Sequence, residues 1–92
     1  MAITFEGYEK REKKINEALA KYGMKDLEEA RDLCLSKGVD VEKIIKGTQP
    51  IAFENAVWAY TLGCAIAIKK NCTKAEDAAV AIGEGLQYFC VP

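Results

Sequence analysis

The chain has 92 residues, half of them apolar, with thirteen basic and fourteen acidic side chains, four cysteines and no histidine. This length predicts a single domain, residues 1–92, whose core can form without disulfides or a metal ion. The lack of histidine excludes Ser-His and Cys-His nucleophile pairs, and the net charge of −1 argues against nucleic acid as a partner.

The first part of the chain, residues 1–47, is predicted to form amphipathic helices. Residues 1–46 hold twenty of the charged side chains, while apolar residues recur at three- to four-residue spacings. Each of three helices is predicted to stop at a glycine, and the second and third begin at an aspartate cap, at the positions Gly23, Asp26, Gly38, Asp40 and Gly47.

The second part, residues 48–92, holds only seven charged side chains and is predicted to form an apolar helical hairpin. Pro50 is placed to start the first of its helices, which runs to about Lys70 and ends at Asn71. Thr73 and Glu76 have the spacing of a capping box and are predicted to open a last helix towards Phe89.

Small residues define how these last two helices are expected to meet. They recur at four-residue steps, as Ala59, Gly63 and Ala67 on one helix and as Ala75, Ala79 and Gly83 on the other. A glycine inside a helix costs up to about 1 kcal/mol relative to alanine, a cost that close packing offsets at Gly63, Gly83 and Gly85. The sequence therefore predicts an all-α fold of four to five helices around a central antiparallel hairpin.

Four cysteines stand at positions 34, 64, 72 and 90, and their separations match no metal-binding pair. Free, buried thiols are the favoured interpretation, with no metal and no cofactor. The alternative is an iron–sulfur or redox-related site that uses Cys72, with Cys64 or a partner chain completing it. Cys72 lies beside a helix N-terminus, a position typical of reactive thiols, whereas Cys90 is expected about 25 Å away along the last helix.

Three other residues of the apolar helix are candidates for a functional role. Glu54 and Asn55 are polar residues in the most apolar helix, so they either face a partner or lie at the positive end of the helix dipole. Trp58 is predicted to pack in the core or at an interface with a partner. None of these residues forms a catalytic constellation, and whether the chain is an enzyme stays open.

The chain shows no membrane or export signal. The uncharged run from residue 55 to residue 68 has fourteen residues, whereas a bilayer span needs about twenty. The first residues lack the basic and apolar regions of a secretory signal, so we expect a cytoplasmic protein with reduced thiols.

Three segments of the chain resemble the N-terminal part of the GGGtGRT protein family. They are residues 46–55 (KGTQPIAFEN), 58–61 (WAYT) and 82–87 (IGEGLQ). The resemblance covers essentially all of the chain and implies the N-terminal fragment of a longer cytosolic protein, whose glycine-rich motif lies beyond residue 92. It implies no particular activity, and it leaves an iron–sulfur or redox-related role open.

The favoured function is non-catalytic. The low charge of residues 48–92 is typical of a surface covered by other protein, which predicts a helical docking or oligomerisation module. Its partner is expected to be a second copy of the chain or the rest of the parent protein. Neither nucleic acid nor a membrane is expected as a partner.

Overall fold

The computed structural model describes residues 8–41, 43 and 54–89, and these residues form four α-helices and no strand. The helices are α1 (Tyr8–Lys21), α2 (Leu27–Ser36), α3 (Glu54–Lys69) and α4 (Ala75–Gln87). The predicted all-α fold class is therefore confirmed.

The third predicted helix falls mostly outside the described residues, as does the predicted start at Pro50. Its first contact is visible, because the Asp40 carboxylate accepts the backbone N–H of Lys43 at 3.2 Å. This is the hydrogen bond that an N-cap aspartate makes at the start of a helix.

Helices α1, α2 and α3 end in the same way, with one residue in the left-handed conformation. These residues are Gly23 (φ 71°), Gly38 (φ 77°) and Asn71 (φ 56°). In each case the next N–H donates to a carbonyl five residues back, over 2.8 Å from Met24 to Leu19, 2.9 Å from Val39 to Cys34 and 3.1 Å from Cys72 to Ala67. The helix ends therefore satisfy their last carbonyl groups locally, as the glycine and asparagine positions predicted.

The starts of α2 and α4 differ. Asp26 caps α2 as predicted, because its carboxylate accepts the N–H of Glu29 at 2.8 Å. The capping box predicted for α4 is wrong: its N-cap is Lys74, which makes no side-chain cap hydrogen bond. Because α4 starts one residue later than predicted, Thr73 lies before the cap and cannot make the reciprocal contacts with Glu76.

The core draws side chains from all four helices. Its members have at most 6% of their surface exposed, namely Ile15, Ala18, Leu19, Met24, Leu27, Ala30, Cys34, Ala59, Leu62, Ala65, Ile66, Ala81 and Phe89. Helix α3 lies at the centre, with α2 and α4 packed against it. Fully burying one side chain of the size of Leu62 or Ile66 stabilises the fold by about 1.5–3 kcal/mol.

The two C-terminal helices, α3 and α4, form the predicted antiparallel hairpin. The turn between them spans residues 70–74, and the middle of α3 at Gly63 meets α4 at Ile82. None of the described helices has both the length and the apolarity that crossing a membrane requires.

Candidate interaction surface on helix α4

The inner face of α4 contacts α3 through backbone rather than through large side chains. A Cβ atom added to Gly63 would lie 2.7 Å from the Cα atom of Ile82, and one added to Gly85 would overlap the backbone of Gly63. Real Cβ atoms do not approach other atoms this closely, so both positions require glycine. Two glycines therefore set the spacing of the hairpin, and their loss of helix propensity is offset by close packing.

The small residues of α3 lie where the sequence placed them, whereas those of α4 do not. Gly63 is in the contact, Ala59 is buried in the core, and Ala67 packs against the core. On α4 the buried small residues are Ala81 and Gly85, while the predicted stripe of Ala75, Ala79 and Gly83 points elsewhere.

The predicted α4 stripe faces away from α3. Ala75 and Ala79 are exposed, and a Cβ atom added to Gly83 would meet nothing within 4 Å. Helix α4 carries two sets of small residues at four-residue spacing, since Ala81 and Gly85 form a second set beside the predicted stripe. Spacing alone does not tell which of the two faces the neighbouring helix.

We call the surface opposite this contact the outer face of α4, formed by Glu76, Ala79, Val80, Gly83 and Gln87. Val80 is 68% exposed, more than the other exposed large apolar residue of the described chain, Leu35, at 50%. The centre of this face, formed by Ala79, Val80 and Gly83, is uncharged and lies open on a short helix whose opposite side is packed against α3.

A polar cluster lies at the edge of the outer face, around Glu84. The Tyr22 hydroxyl donates to Oε2 of Glu84 at 2.6 Å, and Nζ of Lys70 donates to Oε1 at 3.2 Å. Nζ of Lys21 is 3.9 Å from Oε2. The ammonium groups of Lys21 and Lys70 also lie 5.3 Å and 5.8 Å from the centre of the Tyr22 ring. The end of α1 is thereby joined to the hairpin.

The cluster favours its charged forms. The hydrogen bond from Tyr22, followed by the contacts with Lys70 and Lys21, lowers the pKa of Glu84, although partial burial opposes this shift. The hydrogen bond to Glu84 raises the pKa of Lys70. With two lysines and one glutamate, the cluster carries a net charge of +1 at neutral pH.

The sequence did not single out this cluster. In the sequence, Tyr22 follows the apolar residues of the first helix at helical spacing, and Glu84 stands between two glycines. A weak signal was present, because Glu84 is the only charged residue of α4 after its first turn. The pairing itself joins residues 62 positions apart, and no local pattern reveals such a contact.

Three of the four cysteines lie in the described part of the chain and are free thiols. Cys34 is buried, and its Sγ contacts the carbonyl oxygen of Thr61 at 3.5 Å. Burial, with a smaller contribution from nearby Cys64, raises the pKa of the Cys34 thiol to about 11. Burial also raises the pKa of Cys64, and a protonated thiol is a poor nucleophile and metal ligand.

Cys72 and Cys64, the two candidate ligands, are half-buried and pack against the core. Cys72 lies in the turn after α3, while Cys64 lies two turns earlier on the helix. Within residues 8–41, 43 and 54–89, no group of three or more cysteine, aspartate or glutamate side chains could hold a metal ion. Cys90 lies outside the described residues.

The remaining candidates are at the start of α3. Trp58 is half-buried against the core, and the guanidinium of Arg31 lies 5.8 Å from the centre of its ring. This cation–π contact joins α2 to α3 on their shared side. Glu54 and Asn55 belong to α3, but their side chains lie outside the described part of the structure.

Comparisons with known proteins give one match. Neither the curated proteins nor the solved structures include a significant match to this chain. The model of one protein family, by contrast, matches residues 5–92, which is nearly the whole sequence. The chain therefore belongs to the GGGtGRT protein family.

Proposed function

We propose that this chain is a non-catalytic helical docking and oligomerisation module, and that it associates through the outer face of α4. The observation that carries the proposal is the exposure of Val80, at 68%, between the uncharged residues Ala79 and Gly83 at the centre of this face. Apolar patches on helices that are otherwise well packed mark association sites more often than scattered surface residues do.

The residues of the outer face do little for the isolated fold. Gly83 has open space on its Cβ side, so no close contact offsets the cost of glycine in a helix. The exposed Ala79 and Val80 bury little surface within the chain. A surface that weakens the fold without serving its core is explained by a role in contact with another molecule.

The proposal predicts that Val80→Glu reduces association, because it places a charge in a dry helix–helix contact. The matched control is Leu35→Glu, which changes the other exposed large apolar residue, on α2, in the same way. Sedimentation velocity over a range of concentrations measures association, and circular dichroism confirms that both variants remain folded. Equal association of the two variants and the unaltered chain would contradict the proposal.

Association through α4 is also proposed to need no cofactor. Cys72→Ser and Cys64→Ser are therefore expected to leave the association constant unchanged, in samples purified without oxygen and analysed for iron and zinc. A bound metal at one equivalent per chain, together with loss of association in Cys72→Ser, would favour the iron–sulfur or redox-related alternative instead.

A further inference from the structure

We infer that the partner of this surface is a second copy of the chain, with the two α4 helices packed antiparallel about a two-fold axis and Val80 of each copy set over Gly83 of the other. The inference rests on the proposed function, because it uses the same outer face. It adds the identity of the partner and the register of the contact.

The spacing of the residues on the outer face suits pairing with a second copy of the same helix. Glu76, Val80, Gly83 and Gln87 follow one another at steps of four, three and four residues, which places them in one stripe along the helix. A two-fold axis midway between Val80 and Gly83 reverses the stripe onto itself. Val80 then lies opposite Gly83 of the partner subunit, and Glu76 lies opposite the partner's Gln87.

The shapes of Val80 and Gly83 are complementary. Val80 is the one large apolar side chain of the stripe and is 68% exposed, whereas Gly83 leaves open space on the same face. Antiparallel pairing places one valine over each of the two glycines, so both gaps are filled. Parallel pairing would set valine against valine and leave the two glycines facing one another across a void, which loses contacts on both sides.

The charges along one flank of α4 also favour the antiparallel arrangement. Asp77 and Glu84 are seven residues apart, so they share one flank of α4. The Glu84 end of this flank carries a net +1 because Lys21 and Lys70 both contact Glu84, whereas the Asp77 end is negative. The two-fold axis keeps equivalent flanks on the same side and reverses their direction. It therefore brings Asp77 of each copy towards the lysines of the other.

The expected contact is small and closed. One pair of short helices buries less than the roughly 1,200 Å² of total surface that stable complexes need, so the dimer should be weak and depend on concentration. Because the same patch is used by both copies, association stops at two chains. Sedimentation equilibrium up to about 1 mM is the measurement suited to such a dimer.

Gln87 gives the sharpest test of the register. Gln87→Lys places a cation opposite Glu76 of the partner subunit, and the two-fold axis repeats this contact. The dissociation constant of the dimer is therefore expected to fall roughly three- to tenfold. Gln87→Glu makes the opposite change and is expected to weaken it by a similar factor. In a parallel dimer Gln87→Lys would set lysine against lysine, so weaker association of this variant would overturn the inference.

Asp77→Lys gives an independent test. It turns two attractions into repulsions between Asp77 and the partner's lysine cluster, so the dimer is expected to weaken about tenfold at low salt and less at 0.5 M salt. The matched control is Glu17→Lys, which has the same change in charge on the exposed side of α1. Equal weakening by both variants would point to net charge rather than to the proposed contact.

The outcomes separate this inference from the proposed function. If Val80→Glu reduces association while Gln87→Lys weakens it, the outer face stands as the docking surface and the antiparallel register fails. If the unaltered chain stays monomeric up to 1 mM, the second copy is excluded as the partner. Tightening by Gln87→Lys and weakening by Asp77→Lys, with no effect of Glu17→Lys, supports the inference.

Discussion

Gly85 and Gly83 are two residues apart on the same helix, yet they lie in opposite surroundings. Gly85 touches the backbone of α3 at Gly63 and leaves no room for a methyl group. Gly83 faces away from α3 and has nothing within 4 Å of the position where a Cβ atom would stand. One glycine is required by the fold of the chain, and the other is not.

The small residues on the two faces of α4 therefore have different surroundings and different roles. The inner face, with Ala81 and Gly85, buries small residues so that two helix backbones can approach closely. The outer face exposes its small residues together with Val80, so these residues bury little surface within the chain and add little to its stability. The role of a stripe of small residues can therefore be assigned only when it is known whether the stripe faces the neighbouring helix or the solvent.

The largest expected effect is that of Gly85→Ala. The added methyl group overlaps the Gly63 backbone, so α3 and α4 must move apart and the core at Leu62 loses contacts. We expect the free energy of unfolding to fall by about 2–3 kcal/mol, which lowers the melting temperature by roughly 10–20 °C in a domain of this size.

Thermal denaturation of Gly85→Ala beside Gly83→Ala tests this comparison directly, since both variants add one methyl group to the same helix. Gly63→Ala should resemble Gly85→Ala, because it clashes with the backbone at Ile82. Equal melting temperatures for Gly85→Ala and Gly83→Ala would show that the two faces do not differ as described.

The next effect concerns the hydrogen bond between Tyr22 and Glu84, at the edge of the outer face. Tyr22→Phe removes a 2.6 Å hydrogen bond to a charged, partly exposed carboxylate, and we expect a loss of about 1 kcal/mol in the free energy of unfolding. Tyr60→Phe serves as the control, because Tyr60 is half-buried like Tyr22. Urea denaturation of both variants measures the difference, and equal losses would assign the effect to packing.

The sequence predicted much of this fold because its signals are local. The left-handed residues Gly23, Gly38 and Asn71 end their helices where the pattern placed them, and Asp26 caps α2. These features depend on hydrogen bonds within a few residues of one another, so residue type and position were sufficient to predict them.

The orientation of α4 and the Glu84 cluster depend on contacts between distant segments. Helix α4 begins at Ala75 with Lys74 as its N-cap, and this start, one residue later than the capping box predicts, excludes Thr73 as the cap. Which glycine faces α3 depends on how the hairpin closes. The bond between Tyr22 and Glu84 joins the first helix to the last, and such a pairing appears only in the folded chain.

The third prediction concerns acid stability at Glu84. Because the folded chain lowers the pKa of Glu84 from its ordinary value of 4.5, the ionised carboxylate stabilises the fold. This contribution is complete above the unfolded pKa and is lost as the pH falls through the lower, folded pKa. The stability difference between the unaltered chain and Glu84→Gln should therefore be larger at pH 7 than at pH 3.

Urea denaturation at the two pH values measures this difference, and the other carboxylates titrate in both proteins and largely cancel. Asp77→Asn provides a control on the same flank, because Asp77 is exposed and lies in the first turn of α4. A stability difference for Glu84→Gln that is the same at pH 3 and pH 7 would contradict the role of the cluster.

The smallest expected effect on the fold has the opposite sign. Gly83→Ala adds a methyl group in open space and removes the flexibility of glycine from the unfolded chain, so the free energy of unfolding should rise by about 0.5–1 kcal/mol. The same methyl group occupies the gap that we assign to Val80 of the partner subunit, and association should weaken by roughly three- to tenfold. Melting curves at low concentration and sedimentation at high concentration measure the two effects separately. A stabilised variant with unchanged association would show that Gly83 serves neither the fold nor the contact. Higher stability together with weaker association would show that Gly83 serves association at the expense of stability.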